Sequence, residues 1–313
     1  MKGLVVGHMT LDTLCDREAR VTQFDVPQGA ALGATAAAAA WGASVTIVTV
    51  LGSDYPRATI EALAGHGVEV LDGPVRRDSL RFWILREADG IGMQCPHIAT
   101  PIEESTPSVS MYGHLLENGP YDFVHLCPMP LAEQIAWAEK LHAIVPTISV
   151  DPQPFSYAPA ESDTEKDFER LLRAVTILSI TPNRFPHLTG HPLVILETLL
   201  GLGPTVVTLK MGSKGSFVGT HGDEHIYEVP PLPVSVVDDT GAGDAYAGSF
   251  VASFVADRGL QNSAIRATVT AAVMIERIGM THVLDEKTRL AELDRDYRTD
   301  EVRRHSRQGR GPR

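Results

Sequence analysis

Only three cysteines occur in this chain of 313 residues, Cys15, Cys95 and Cys127, widely separated and outside any Cys-x-x-Cys or Cys/His ligand spacing. That argues against a disulfide framework or a zinc site and fits a reducing cytoplasm. Cationic charge is scarce too. Lys and Arg number 27 against 39 Asp and Glu, a formal net charge of -12, so nucleic acid is not an expected partner. No apolar run approaches the length of a bilayer, and Met1-Lys2-Gly3 leads straight into Leu4 to Val6, so neither a membrane span nor a signal peptide is expected. His97, His114, His125 and His187 share no regular spacing with carboxylates or with one another and read as core or surface residues, not metal ligands. The acidic balance breaks only in the tail, 303–313, which is basic, poor in apolar residues and reads as a disordered terminus.

What is present is a hydrophobic content of 43%, enough to bury one large core. Apolar segments alternate between strand and helix patterns, the rhythm of a parallel sheet covered on both faces. The strands expected are Leu4 to Val6, Val45 to Val50, Phe123 to Leu126, Ile148 to Val150, Ile177 to Ile180 and Val206 to Leu209. Between them Ala34 to Trp41, Arg57 to Ala64, Leu131 to Leu141, Glu165 to Leu172 and Leu193 to Leu200 read as helices. Phe217 to Gly219 and His225 to Val229 form a hairpin pattern, and three helices follow, Ala245 to Val255, Ser263 to Ile278 and Asp285 to Asp294. Two stretches break the rhythm, Arg20 to Pro27 and Arg76 to Ile98. In the second, Leu80, Phe82 and Ile84 alternate with Arg81, Trp83 and Leu85, which suits either a small projecting sheet over a substrate or an edge hairpin of the main sheet.

The most informative string is Asp238-Asp239-Thr240-Gly241-Ala242-Gly243-Asp244. Val234, Val236 and Val237 read as a short strand before it, and the small-residue run from Ala245 as a buried helix after it. Gly241 and Gly243 then sit at a helix N-terminus, where free amides and the positive end of the dipole receive an anion. Asp244 would repel a resting phosphate, but it makes sense as a base that takes a proton from an attacking hydroxyl while the amides of Ala242, Gly243 and Asp244 hold a transferred phosphoryl group.

This string resembles the C-terminal signature of the ribokinase-like (PfkB) carbohydrate kinases, and the resemblance extends over nearly the whole chain. Gly7 to Asp12 is similar to that family's first strand and the Asp after it, and Gly29 through Asp54 to its N-terminal signature. Ile148 to Pro152 resembles its strand ending in Asp-Pro, Thr181-Pro182-Asn183 its Pro-Asn turn, and Lys210 to Gly215 its nucleotide-side loop. The resemblance implies a three-layer α/β/α, doubly wound, mostly parallel sheet with a small β lid. One kinase domain would span 1–302, with lid segments at about 15–28 and 75–100. It implies ATP and Mg2+, in part of the family a monovalent cation, and a small hydroxylated acceptor. Asp244 would be the base and the Gly241, Ala242 and Gly243 turn the anion hole. Asp12, Gly29, Gly33 and Trp83 would line the acceptor, and Asn183, Lys210, Gly212, Gly215, Thr240 and Thr268 the nucleotide, with Asp151 able to reach the metal through water. A homodimer through the lid also follows from the resemblance, as does a cytoplasmic location.

The chain departs from the family pattern at named positions. Gln28 stands where relatives have the first of two glycines, and Gly33 where they have an Asn that grips a sugar hydroxyl. Losing that amide points to an unusual polyol, an inositol-like ring or a nucleoside as acceptor. The relatives' Asn-x-x-Glu is here Asn183-Arg184-Phe185-Pro186, so the acid that helps organise magnesium is a proline; that loss need not abolish metal binding, and Asp151 and Glu197 are the candidates to compensate. Lys210 stands where Thr is common, either to neutralise nucleotide phosphate or as a solvated strand end. These losses allow a second reading, a catalytically degenerate nucleotide- or sugar-binding protein. Asp244 separates the two, since a binding protein has no use for a carboxylate that repels phosphate.

Overall fold

Aliphatic side chains that alternate along consecutive strands need cover on both faces of a sheet, and the chain supplies it with helices between almost every pair. The computed structural model describes residues 1–16, 20–73, 76–86, 92–96, 101–114, 119–153, 164–297 and 299–307. In chain order its strands are β1 (Lys2–Val6), β2 (Thr10–Cys15), β3 (Val21–Gln28), β4 (Ser44–Thr49), β5 (Glu69–Asp72), β6 (Phe82–Arg86) and β7 (Gly92–Pro96). They continue as β8 (Phe123–Leu126), β9 (Ile148–Val150), β10 (Ile177–Ile180), β11 (Val206–Lys210), β12 (Ser216–Thr220), β13 (His225–Val229) and β14 (Arg303–Ser306).

The main sheet has ten strands in the order β14-β13-β12-β11-β10-β9-β8-β1-β4-β5. From β5 to β11 the pairing is parallel, and β12, β13 and β14 extend the sheet antiparallel. Val5, Ile47 and Ile177 point into one apolar layer, under the helices Ala30–Ala40, Ala242–Val255 and Leu260–Met274. Leu4, Val6, Leu178 and Leu209 point into the other, under Leu131–Leu141, Thr164–Arg173 and Pro192–Leu200. The expected three-layer arrangement is therefore present. No helix among the described residues is long and apolar enough to cross a membrane.

The two stretches that broke the rhythm join one sheet on either side of β2. β3, β2, β6 and β7 form a separate four-stranded sheet, not an edge hairpin of the main one. Arg81 ties it down, donating to Asp25 of β3 at 3.1 Å and to Asp54 of the main domain at 2.6 Å. The tail corrects the sequence reading in part. Arg303–Ser306 is not disordered but pairs with β13 as the sheet's edge strand, where Glu228 accepts from Arg303 at 2.9 Å and lies 2.8 Å from His305. Its basic composition answers an acidic neighbour, and charged side chains suit an exposed edge. Residues 308–313 and His97 lie outside the described residues.

The helices Ala30–Ala40 and Ala242–Val255 lie in unusually close contact because both are built from small residues. A Cβ on Gly248 would lie 2.0 Å from the Ala34 carbonyl oxygen, so only glycine lets the backbones meet. Gly248→Ala is expected to destabilise the fold by about 1–3 kcal/mol through overpacking, seen as a drop of several degrees in Tm by calorimetry. An unchanged Tm would mean that the helix contact is looser than described.

Candidate active site

The loops at the C-terminal ends of the parallel strands converge on one end of the Ala242–Val255 helix, the usual place for a ligand in an open α/β sheet. The approach to that helix is not a strand, as the valines had implied, but an irregular segment. Pro230, Pro231 and Pro233 bring no N–H groups to a ladder, and the amides of Val237 and Asp238 both donate to the Ile275 carbonyl, at 2.8 and 3.1 Å. Asp238 caps the turn, its carboxylate accepting from the Thr240 amide at 3.1 Å.

Gly241 adopts φ 82°, in the left-handed region, and forms the N-cap. The Ala242 amide is not free for an anion, because it donates to the Asp239 carbonyl at 3.3 Å. The amides of Gly243 and Asp244 have no acceptor among the described residues, so the cradle rests on these two.

Asp244 is half-buried in the first turn, its carboxyl pushed up from the ordinary 3.8 to about 6. Burial is the main cause and the Asp151 charge adds to it, while Lys210 and Arg184 pull it back down. Gly33 lies directly against it. A Cβ there would sit 3.1 Å from the Asp244 Cβ and 3.2 Å from the Met280 sulfur. The space that a side chain at 33 would need is thus held by Met280, which also closes on Gly241.

Lys210 ends β11 buried, not solvated. Its ammonium is ion-paired with Asp151 and lies 3.5 Å from the Gly243 carbonyl. Asp12, on β2 of the small sheet, is buried and is pushed up to about 7 by that burial, with the nearby Asp238 charge reinforcing it against the hydrogen bond that the Phe82 amide donates at 3.2 Å. Gln28 is buried too, and its amide donates to Asp238 at 3.3 Å. The departure that reads in sequence as a lost glycine therefore brings the Asp238 carboxylate a partner.

The other expected site residues fall in several places. Gly29 sets the start of the Ala30–Ala40 helix with φ 105°, where a Cβ would meet the His8 carbonyl oxygen at 2.5 Å. Asn183 is exposed on the short turn after β10. Gly212 has open space around it, whereas a Cβ on Gly215 would lie 2.1 Å from the Val229 carbonyl oxygen, so that position has no room for a side chain. Thr268 is buried in the Leu260–Met274 helix, its hydroxyl without a protein partner. Trp83 pairs with Thr13 on the face of the small sheet opposite to Leu14 and Ile84, and it stays 38% exposed. Glu197 is also elsewhere, bound by both ends of its carboxylate to Arg307 at 2.8 and 2.9 Å.

Residues 4–287 match the sequence profile of the pfkB family carbohydrate kinases. The chain belongs to that family. Among curated relatives, a cytidine kinase of Thermococcus kodakarensis is 26% identical over 264 residues, 82% of this chain and 90% of the relative. A ribokinase of Lactococcus lactis is 29% identical over 119 residues, 37% of this chain and 39% of the relative. Among solved structures, a putative ribokinase II from E. coli in complex with ATP and Mg2+ superposes with a TM-score of 0.72 at 18% identity, covering 93% of this chain and 99% of that one. The pfkB chain thus has the ribokinase-like fold, and its relatives are kinases.

Sequence reasoning missed Met280, which no motif marks, and Arg184, which it passed over as a spacer inside Asn183-Arg184-Phe185-Pro186 although it contributes charge at Asp244.

Both raised carboxyls make stability depend on pH. Each holds its proton in the folded chain above the 3.8 at which it is lost in the unfolded one, so their contribution is complete below about pH 4 and disappears as pH rises through about 6 and 7. Asp12→Asn should accordingly raise Tm by a few degrees at pH 8 and give no such gain at pH 4. Equal effects at both pH values would show that Asp12 is not held protonated.

Proposed function

We propose that this pfkB-family kinase transfers the γ-phosphate of ATP to a hydroxyl of a small acceptor, with Asp244 as general base. The observation that carries this reading is the juxtaposition, in one helical turn, of two free amides with a half-buried carboxylate whose affinity for protons is raised. The amides of Gly243 and Asp244 would receive the oxygens of the transferred group. A base near 6 is ionised at neutral pH yet basic enough to take the acceptor's proton.

The acceptor would lie between Asp12 and Asp244, under the small sheet. Asp12, near 7, exists in both protonation states around neutral pH and can accept from one hydroxyl or donate to another. The small sheet would exclude water, which otherwise competes with the acceptor for the phosphoryl group. A nucleoside is the acceptor favoured, because the relative that aligns with most of this chain is a cytidine kinase, whereas the ribokinase alignment spans little more than a third. The absence of a side chain at Gly33 agrees, since it removes the amide that suits a free sugar.

Thr240, Gly212, Gly215 and Thr268 are assigned to the nucleotide side as the resemblance implies. Among the described residues no three carboxylate, histidine or cysteine groups gather as a metal cage. That fits magnesium, which binds mainly through nucleotide phosphates and keeps its waters, with Asp151 and Asn183 the residues to hold them. When bound it would neutralise phosphate charge.

The test is ADP release with ATP and Mg2+ against nucleosides, pentoses, hexoses, inositols and sugar acids. Turnover with a nucleoside is expected, and Asp244→Asn should lower kcat by about 10²–10⁴-fold with the fold intact. An Asp244→Asn enzyme as fast as the parent would remove the base from the mechanism.

A further inference from the structure

Two cations border Asp244, and only one is matched by a carboxylate. Lys210 is ion-paired with Asp151. Arg184 is exposed, and its guanidinium has neither an ion pair nor a hydrogen-bond acceptor among the described residues. The backbone beneath it is nonetheless fixed. Pro182 opens the turn and is buried, the Arg184 amide donates to the Thr181 carbonyl at 3.1 Å, and the Phe185 amide donates to Pro182 at 2.9 Å. Phe185 itself is buried against Phe168, ring centroids 5.7 Å apart.

The position of the turn is equally defined. β10 lies between β9 and β11, so the turn leaves the sheet between Asp151 and Lys210, at the end where the Gly-Ala-Gly turn begins. Its positive charge reaches Asp244. The segment Pro182-Asn183-Arg184-Phe185-Pro186 holds no carboxylate to draw the guanidinium away. A planar fork of donors, unpaired and held on a rigid turn beside a phosphate cradle, is suited to bidentate contact with phosphate oxygens.

We infer that the Arg184 guanidinium binds the γ-phosphoryl group of the nucleoside triphosphate and follows it as it moves to the acceptor. This rests on the kinase reading above. In the transfer the acceptor oxygen forms a bond to the γ-phosphorus, and the bond from that phosphorus to the bridging oxygen breaks. The electron pair leaves on the nucleoside diphosphate, and the acceptor's proton passes to Asp244. The three equatorial oxygens carry the charge throughout, and Arg184 is the cation free to meet it. Lys210, held by Asp151, would instead shape the field around the base.

The contact predicts discrimination between ATP and ADP, which is measurable without knowing the acceptor. ATP and ADP, each with Mg2+, would be titrated by calorimetry into the full chain, Arg184→Ala and Arg184→Lys. Arg184→Ala should weaken ATP by about ten-fold or more and ADP by less than about two-fold, with partial recovery in Arg184→Lys. In turnover kcat should fall while the acceptor's KM holds, and the acid limb set by Asp244 should move to higher pH, since Asp151 and Lys210 remain and one positive charge is gone. An ATP-to-ADP affinity ratio unchanged in Arg184→Ala overturns the assignment of Arg184 and leaves the kinase reading standing. A parent protein that binds neither nucleotide overturns the kinase reading, and this assignment with it.

Discussion

The contact of two small-residue helices is the constraint on which the rest of the site depends. Gly248 lets the Ala242–Val255 helix close onto the Ala34 carbonyl, and Asp244, one turn before Gly248, comes to face Gly33, the neighbour of Ala34. A larger residue at either place would push the helix N-terminus away from the strand ends. The base, the two free amides and the Met280 wedge would move with it. The alanine-rich composition of the Ala30–Ala40 helix is thus a requirement of packing distance, not of helix propensity alone.

Burial at this contact also sets the electrostatics. Removing water from around Asp244 and Asp12 raises both carboxyls, and it does so to different degrees because their neighbours differ. Asp244 has Lys210 and Arg184 to favour its charged form. Asp12 has only hydrogen bonds to do so, and the Asp238 charge works against it. The separation leaves one group ionised and the other able to share a proton near neutrality, a division of labour that two identical side chains acquire from their surroundings. The Asp151–Lys210 pair is part of that arrangement. A lone Asp151 would push Asp244 up further, whereas a lone Lys210 would hold it down and weaken it as a base.

Much of this was legible in the sequence. The alternation of aliphatic strands and helices marks the parallel sheet, and the Gly-Ala-Gly turn followed by Asp marks a helix N-terminus with a carboxylate in its first turn, because both depend on local chemistry. Features that depend on distant partners were not legible. Composition alone made Arg303 to Ser306 a disordered tail, since its strand partner and Glu228 are about 75 residues away in sequence. A period-two pattern placed Trp83 in a sheet but could not name β2 as its neighbour, about 70 residues away in sequence. Gln28 looked like a defect until Asp238, 210 residues away, supplied its partner. Lys210 was ambiguous for the same reason, its counter-ion lying 59 residues upstream.

The two glycines of the turn show how fold and function can be told apart at adjacent positions. Gly241 is required by the fold itself: it has a left-handed φ, and a Cβ there would lie 2.6 Å from the Met280 methyl carbon. Gly243 is under no such constraint. It is helical, and the nearest atom to a Cβ at that position is the Lys210 ammonium at 3.5 Å, an ordinary contact. Alanine would satisfy the protein there and would favour the helix by roughly 1 kcal/mol. Internal packing therefore gives no reason for glycine at 243, which agrees with the anion site proposed above. An anion drawn to the Gly243 and Asp244 amides would occupy the volume that a methyl group would fill, and the absent side chain is the room it needs.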